Sequence, residues 1–368
     1  MFEPPRCPFE ECPNHRPPDE KFYVRHGTYT ARVHTDPVPR FRCRSCRRTF
    51  SRQTLRLGYR DKKPHVNARL AQELASGRWF RKLARDLHMT RNNVEKKSRK
   101  LFRHARHLNR NLRRRGPLVP ERPGPCVTPD RLLDLQFDEY ESYETRRNTR
   151  PVTIATAIES RSRFVIAMIV APIRPHGRMT KQRLEAIAAD EARFGPRQHL
   201  SSLACSIALR RAADFLPDPV AIRLSTDEKQ TYPSIAANAF HGHRQIFHRT
   251  TSSRAPRGVG TALYPINHIE GKARIHMGRI QREMPFASKR RNYLSRHLEL
   301  HIARRNWVRP RFYTDEASPA MLAGFAPRRM KIREMLGWRQ DWGLRSPCPF
   351  GHGTRTVAEP MRGMKLAG

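Results

Sequence analysis

Long apolar runs are missing from this 368-residue sequence. No stretch approaches the ~18 consecutive residues of a membrane span; the best, FVIAMIVAP from Phe164 to Pro172, has the length of a strand. A helical membrane protein is thereby excluded. Carboxylates are scarce too: 33 Asp and Glu stand against 73 Lys and Arg, a formal charge of +40 with a pI near 11.3. A surplus that large opposes compaction unless a polyanion shares it. It excludes an ordinary enzyme of small neutral metabolites and points to nucleic acid. A basic surface kept for solubility, or an acidic membrane as partner, are the alternatives. Apolar residues make up only 38%, low for a globular chain but above a wholly disordered one, so a core can form among many solvated arginines. The opening MFEPPRCPFEE is acidic and proline-rich and lacks the pattern of a secretory signal. Seven cysteines are an odd number, and four cluster early. They read as a metal site in a reduced compartment rather than as a disulfide framework.

The length calls for two or three domains. Residues 1–60 hold the clustered cysteines, and 61–115 carry helical patterns. Residues 116–130, with five prolines and two glycines, read as a linker. Residues 131–310 alternate strand-like and helical segments, with 173–199 as an insertion. Residues 311–368 form an extension with one short helical stretch and a basic tail. No repeat of solenoid period is present.

Cys7 and Cys12 are separated by four residues, Cys43 and Cys46 by two, and thirty lie between the pairs. Two short cysteine pairs on tight knuckles supply the four soft donors of a tetrahedral zinc ion without a large core. The stretch between them, with Phe22, Tyr23, Val24, Thr28, Tyr29, Val33, Val38 and Phe41, suits short strands. The pattern is a zinc ribbon, and its zinc is structural because four protein ligands leave no open position. His15 is an alternative ligand to Cys12, and Arg47 stands where such knuckles usually carry glycine. Of the remaining cysteines, Cys126 reads as linker and Cys205 as core; Cys348 stands alone.

Val66, Leu70 and Leu74 mark one helical face, and Leu83, Ala84 and Leu87 a second. Met89 and Thr90 make a turn, with Thr90 a candidate N-cap. Val94, Leu101 and Ala105 mark a third helix, whose other faces carry Arg91, Asn92, Lys96, Lys97, Arg99 and Lys100. Helix, tight turn and basic helix is the arrangement of a DNA-reading helix-turn-helix, with Arg and Asn at its start able to read base edges. A small bundle with a solvated basic face is the plain alternative.

In LLDLQFDEYESYE (132–144), Leu133, Leu135 and Phe137 alternate before an acidic cluster, which predicts a strand ending at Asp138 and Glu139. Segments 150–160 and 163–172 follow as two more antiparallel strands. A helix over 200–216, a strand over 219–227 ending at Asp227, a strand over 244–252 and a helix over 266–284 complete the order. Asp138, Asp227 and Glu270 then fall at the ends of two strands and near the start of the last helix. Two metal ions need carboxylates converging from separate elements, and hard oxygens suit Mg2+ or Mn2+. Glu139, Glu141 and Glu144 compete with Asp138, Glu228 with Asp227, and Glu283 with Glu270.

With FRCRSCRRTFS (41–51), LARDLHMTRNNV (83–94), FDEY (137–140), STDEKQTY (225–232), HIEGKARIHMGRIQREMPFASK (268–289) and SPAMLAGF (318–325), the chain resembles DDE transposases of bacterial insertion sequences, most of all the insertion-sequence-one type. The resemblance spans about residues 5–336. It implies a multidomain protein: a zinc ribbon and helix-turn-helix, then an α/β RNase H-like domain with a mixed five-stranded sheet. It implies Asp138, Asp227 and Glu270 as ligands of catalytic Mg2+ or Mn2+, and Lys289 as a basic residue on DNA. Double-stranded DNA, as element ends and target, is the implied partner of Arg91, Asn92, Lys96 and Lys97. A homodimer or larger assembly on DNA, no membrane, and a cytoplasmic, nucleoid-associated location follow. The expected activity is metal-dependent DNA cleavage and strand transfer. The alternative is a catalytically decayed descendant that binds or represses. SPAMLAGF itself reads as an apolar turn packed on the catalytic domain.

Overall fold

The computed structural model describes residues 3–9, 11–15, 18–30, 36–115, 132–215, 221–241, 245–280 and 290–338. The linker at 116–130, Glu283, Lys289, Cys126, Cys348 and the tail beyond 338 lie outside the described residues.

The N-terminal unit is a three-stranded antiparallel sheet of β1 (Tyr23–Tyr29), β2 (Val38–Cys43) and β3 (Thr49–Ser51), in that order. It has its own small core, in which Phe22, Phe41 and Phe50 pack against Cys7, Cys12 and Cys43. Three helices follow: α1 (Asn67–Leu74), α2 (Phe80–Asp86) and α3 (Arg91–Arg115). Their buried residues include Leu70, Leu74, Leu83, Val94, Leu101 and Ala105, the apolar faces set by helical spacing. Thr90 caps α3 as its position predicts, its hydroxyl accepting from the Asn93 N–H at 3.3 Å.

The second sheet is mixed and has five strands. These are β4 (Leu132–Tyr143), β5 (Pro151–Glu159), β6 (Phe164–Pro172), then, after α4 (Lys181–Phe194) and α5 (Ser201–Ala213), β7 (Ala221–Asp227), and after α6 (Tyr232–Ala239), β8 (Gln245–Thr251). The spatial order is β6-β5-β4-β7-β8. The first three pair antiparallel, as a meander, and β7 and β8 run parallel to β4. The β5–β6 turn is held by the buried Glu159 carboxylate, which accepts from the N–H groups of Arg161 (2.9 Å) and Ser162 (2.7 Å). The 173–199 segment proves to be a connection carrying α4, capped by Thr180 and mostly exposed.

Two helices complete the layers, α7 (Tyr264–His276) and α8 (Arg291–Trp307), followed by short α9 (Pro319–Leu322) and α10 (Ile332–Gly337). The helix expected over 266–284 is thus shorter at its C-terminal end: Met277 leaves the helix in an extended conformation, and Ile280 is buried outside it. One sheet face packs on α5 and α6, through contacts such as Phe137 against Tyr232. The other packs on α7 and α8, through Tyr140, Ile154, Ile266, Ile269 and Leu298. SPAMLAGF is an apolar turn on this body, with the Phe325 ring 5.2 Å from that of Phe164 and 5.3 Å from that of Phe215.

The three helices do not stand apart from the large sheet. One continuous core runs from Val66 through the sheet to Trp338. Helix α8 is its hub, buried on nearly every side and carrying polar groups inward. Its His297 donates to the Leu74 carbonyl (3.1 Å) and its Arg304 to the Ala75 carbonyl (3.1 Å), so α8 caps the C-terminal end of α1. No helix among the described residues is long and apolar enough to cross a membrane.

Candidate functional site

Side chains alternate along a strand, and this sorts the acids of β4. Asp134, Gln136, Asp138 and Tyr140 share one face; Phe137 and Glu139 take the other. Asp134 accepts from Arg223 and Arg161. Gln136 donates to the Ala262 carbonyl (2.7 Å) and accepts from the Ile266 N–H (3.0 Å), clamping the start of α7 over β4. Glu270 lies one helical turn beyond Ile266. The parallel register of β4 and β7 reaches Gln136 opposite Ser225. Asp138 and Asp227 each lie two residues beyond this last pair, and the charge of Asp227 acts on Asp138. The three predicted acids are thereby brought to one side of the sheet.

Their surroundings are electrostatically costly. Asp138 and Glu270 are buried, at 4% and 7% exposure. Burial, reinforced by the charge of Asp227, raises the Asp138 carboxyl above its ordinary range, although the Glu139 N–H and Arg257 oppose this. Burial and the charge of Asp138 push Glu270 well above its own. Glu270 Oε1 is buried and has no hydrogen-bond partner among the described residues. Asp138 Oδ1 accepts from the Glu139 N–H at 2.7 Å and its Oδ2 from Arg257 at 2.8 Å. Arg257 also reaches Asn267 Oδ1 on α7 (3.3 Å), and Asp227 Oδ1 accepts from the Lys229 N–H (3.2 Å).

The competing acids have other partners. Glu139 faces α5 and α6, where Lys229, Ser201, Thr153 and Tyr232 bind its carboxylate and hold its pKa down despite burial. Glu141 pairs with His176, Glu144 with Arg197, and Glu228 accepts from Ser252 and Ser253. Sequence reasoning missed Gln136, Arg257 and Asn267. Gln136 had a signal: the polar residues at 134, 136 and 138 recur with the period of a strand. Arg257, in the connection after β8, had none.

The four cysteines form a second site. Cys7 and Cys46 Sγ lie 3.7 Å apart, and Cys12 and Cys43 Sγ 3.6 Å. A tetrahedron with metal–sulfur bonds of about 2.3 Å has edges of about 3.8 Å, so the cluster could hold a metal such as zinc. Among the described residues it is the one group of three or more Cys, His, Asp or Glu side chains whose ligand atoms all lie within 4.8 Å of one another. The ligand atoms of the three acids are not all that close to one another. His15 is not in the cluster; its Nδ1 donates to the Cys7 carbonyl at 2.8 Å. Burial raises the thiols of Cys7 and Cys12. At Cys43 the backbone N–H groups of Cys46 and Ser45 outweigh burial and lower it. Arg47 adopts the left-handed φ of +60° that the missing glycine would take easily.

On α3, Arg91, Asn92 and Lys96 are exposed. Lys97, expected to face DNA with them, is turned inward: buried against Asp61, it also donates to the Lys63 carbonyl (2.7 Å) and Asn67 (3.0 Å). Its charge ties the helix to the 61–67 segment. Lys289 lies outside the described residues. No family model matches the chain, and no curated protein matches it.

Proposed function

We propose that this chain is a DNA transposase of the DDE kind, similar to those of bacterial insertion sequences of the insertion-sequence-one type. Residues 132–307 serve as an RNase H-like catalytic domain on this reading. The observation that carries it is the convergence of Asp138, Asp227 and Glu270 from β4, β7 and α7 on one side of a sheet ordered β6-β5-β4-β7-β8.

The acids fit divalent cations. Three hard oxygen donors converge, two with pKa values raised by burial and by neighbouring acids, and Glu270 Oε1 has no partner among the described residues. Asp138, Asp227 and Glu270 would hold Mg2+ or Mn2+. The chemistry such ions supply when bound is activation of an attacking oxygen and stabilisation of the leaving one. The chain's own residues supply positioning. Gln136 fixes α7, and so Glu270, against β4. Arg257, partly exposed and paired with Asp138, would meet a DNA phosphate arriving at the acids. The exposed Arg91, Asn92 and Lys96 fit a role in gripping the element ends, with the cysteine cluster as a structural zinc site. Cutting two ends together calls for a dimer or more on DNA.

Cleavage of DNA carrying the flanking terminal repeats, with Mg2+ or Mn2+, tests this directly. Wild type is expected to cut and to join 3′ ends. Asp227→Ala should abolish both, and Asp138→Asn should abolish cutting while repeat binding persists. Tight repeat binding with no cleavage by wild type would leave the binding-only descendant as the better account.

A further inference from the structure

Helix α7 has a second polar face. Glu270 and Arg274 lie on the side of Tyr140, whereas His268, Lys272 and His276 recur at four-residue spacing on another. There Lys272 and His276 line a pocket with His301, Arg304 and Arg305 of α8 and with Arg309. Among the described residues, no carboxylate lines it. Asp315 and Glu73 offset part of this charge from outside, but Asp315 pairs with Arg311 (2.7 Å) and Glu73 with Arg78 (3.3 Å).

This cluster is built rather than incidental. Arg305 is 4% exposed, held by the carbonyls of Pro310 (2.7 Å) and Arg311 (2.9 Å), yet among the described residues its Nε has no partner. His301 is 3% exposed and its Nε2 has none either. Burial and the neighbouring arginines push His276 down to about 4 and hold His301 well below its usual range. A guanidinium N–H and an imidazole nitrogen buried among cations that Asp315 and Glu73 balance only in part have a natural complement in an anion with several oxygens. At the mouth stands Tyr313, 78% exposed, with Lys272 and Arg309 over its ring at 5.3 and 5.7 Å. An exposed ring flanked by cations is a platform on which an unpaired base stacks.

We propose that this pocket binds a phosphate of a single DNA strand, with Tyr313 stacking the adjoining base, at a site separate from the three acids. The proposal extends the transposase reading but needs no catalysis.

Its test is fluorescence anisotropy of a short labelled single-stranded DNA with the full chain, without added magnesium or manganese. Arg309→Glu, Tyr313→Ala and Arg210→Glu are compared with wild type. Arg210 is exposed on α5, so its reversal controls for the general loss of positive charge. Arg309→Glu should bind about tenfold more weakly than Arg210→Glu, and Tyr313→Ala about tenfold more weakly than wild type without any change of charge. Inorganic phosphate should displace the strand from wild type more readily than from Arg309→Glu. Affinities for both variants within twofold of their controls would overturn the proposal. They would do so even if inorganic phosphate alone raised the melting temperature of wild type, because the pocket would then be a site for the free anion. Cleavage is not read, so this proposal and the catalytic one fail separately.

Discussion

Glu270 shows how one residue can cost the fold something while serving the site. Its carboxyl is buried beside Asp138 and its pKa lies well above the ordinary value of 4.5. The folded value exceeds the unfolded one, so folding favours the protonated form. The stability it contributes is present below about pH 4.5 and is lost as pH rises through the folded value. Glu270→Gln, which cannot ionise, should therefore raise the melting temperature at neutral pH in buffer without magnesium or manganese. Cleavage should vanish in the same protein. Thermal unfolding and a cleavage assay on one preparation check both, and a lowered melting temperature would count against the repulsion. Apolar periodicity put Asp227 at the end of a strand and Glu270 on the helix after the sheet, as the structure has them; the strand expected to end at Asp138 and Glu139 instead runs on to Tyr143, with Asp138 in its middle. In the sequence, only the family resemblance set Asp138 above Glu139; the structure adds that Glu139 is committed to Lys229 and Ser201.

Among the elements, the cysteine ribbon was the most legible, since paired spacing constrains the backbone more than any propensity does. Its core is small, three phenylalanines and the cysteines, so the metal should supply much of its stability. One zinc per chain is expected by elemental analysis. Chelation, or Cys43→Ser, should expose the remaining ribbon thiols to rapid modification while the far-ultraviolet signal of the helices persists. Slow thiol reaction after chelation would contradict a metal-held ribbon. Helices α1 to α3 were legible because their apolar faces repeat. Helix α8 was not. It is buried on nearly every side and places His297, His301, Arg304, Arg305 and Asn306 in the interior, so its polar and apolar residues do not sort into two faces. Asn306, for example, bonds both the N–H (2.9 Å) and the carbonyl (2.8 Å) of Val165. The basic surplus pointed outward in the sequence; part of it is structural mortar within. Lys97 is a second case, since a lysine in a basic helix gives no sign that Asp61, thirty-six residues earlier, will claim it.

The whole molecule should be sensitive to mild acid. His104, His297 and His301 are fully buried and their pKa values are lowered, His297 to about 3. A folded value below the unfolded 6.5 means that protonation favours the unfolded chain. The stability is present above about pH 6.5 and is lost as pH falls. His297 alone should cost about 2 kcal/mol by pH 5. Melting temperature should fall between pH 7 and pH 5, and fall more steeply in Glu270→Gln, which lacks the opposing carboxyl. A flat profile would contradict neutral buried histidines. The capping of α1 by α8 has a further consequence at this scale. The helices proposed to grip an element end and the sheet proposed to cut it share one core, and α8 bonds directly to the end of α1. Such a body acts as a ruler: the number of base pairs from grip to cut would be a fixed property of the protein. Lengthening the DNA between the two should shut off cutting in whole base-pair steps instead of blurring its position.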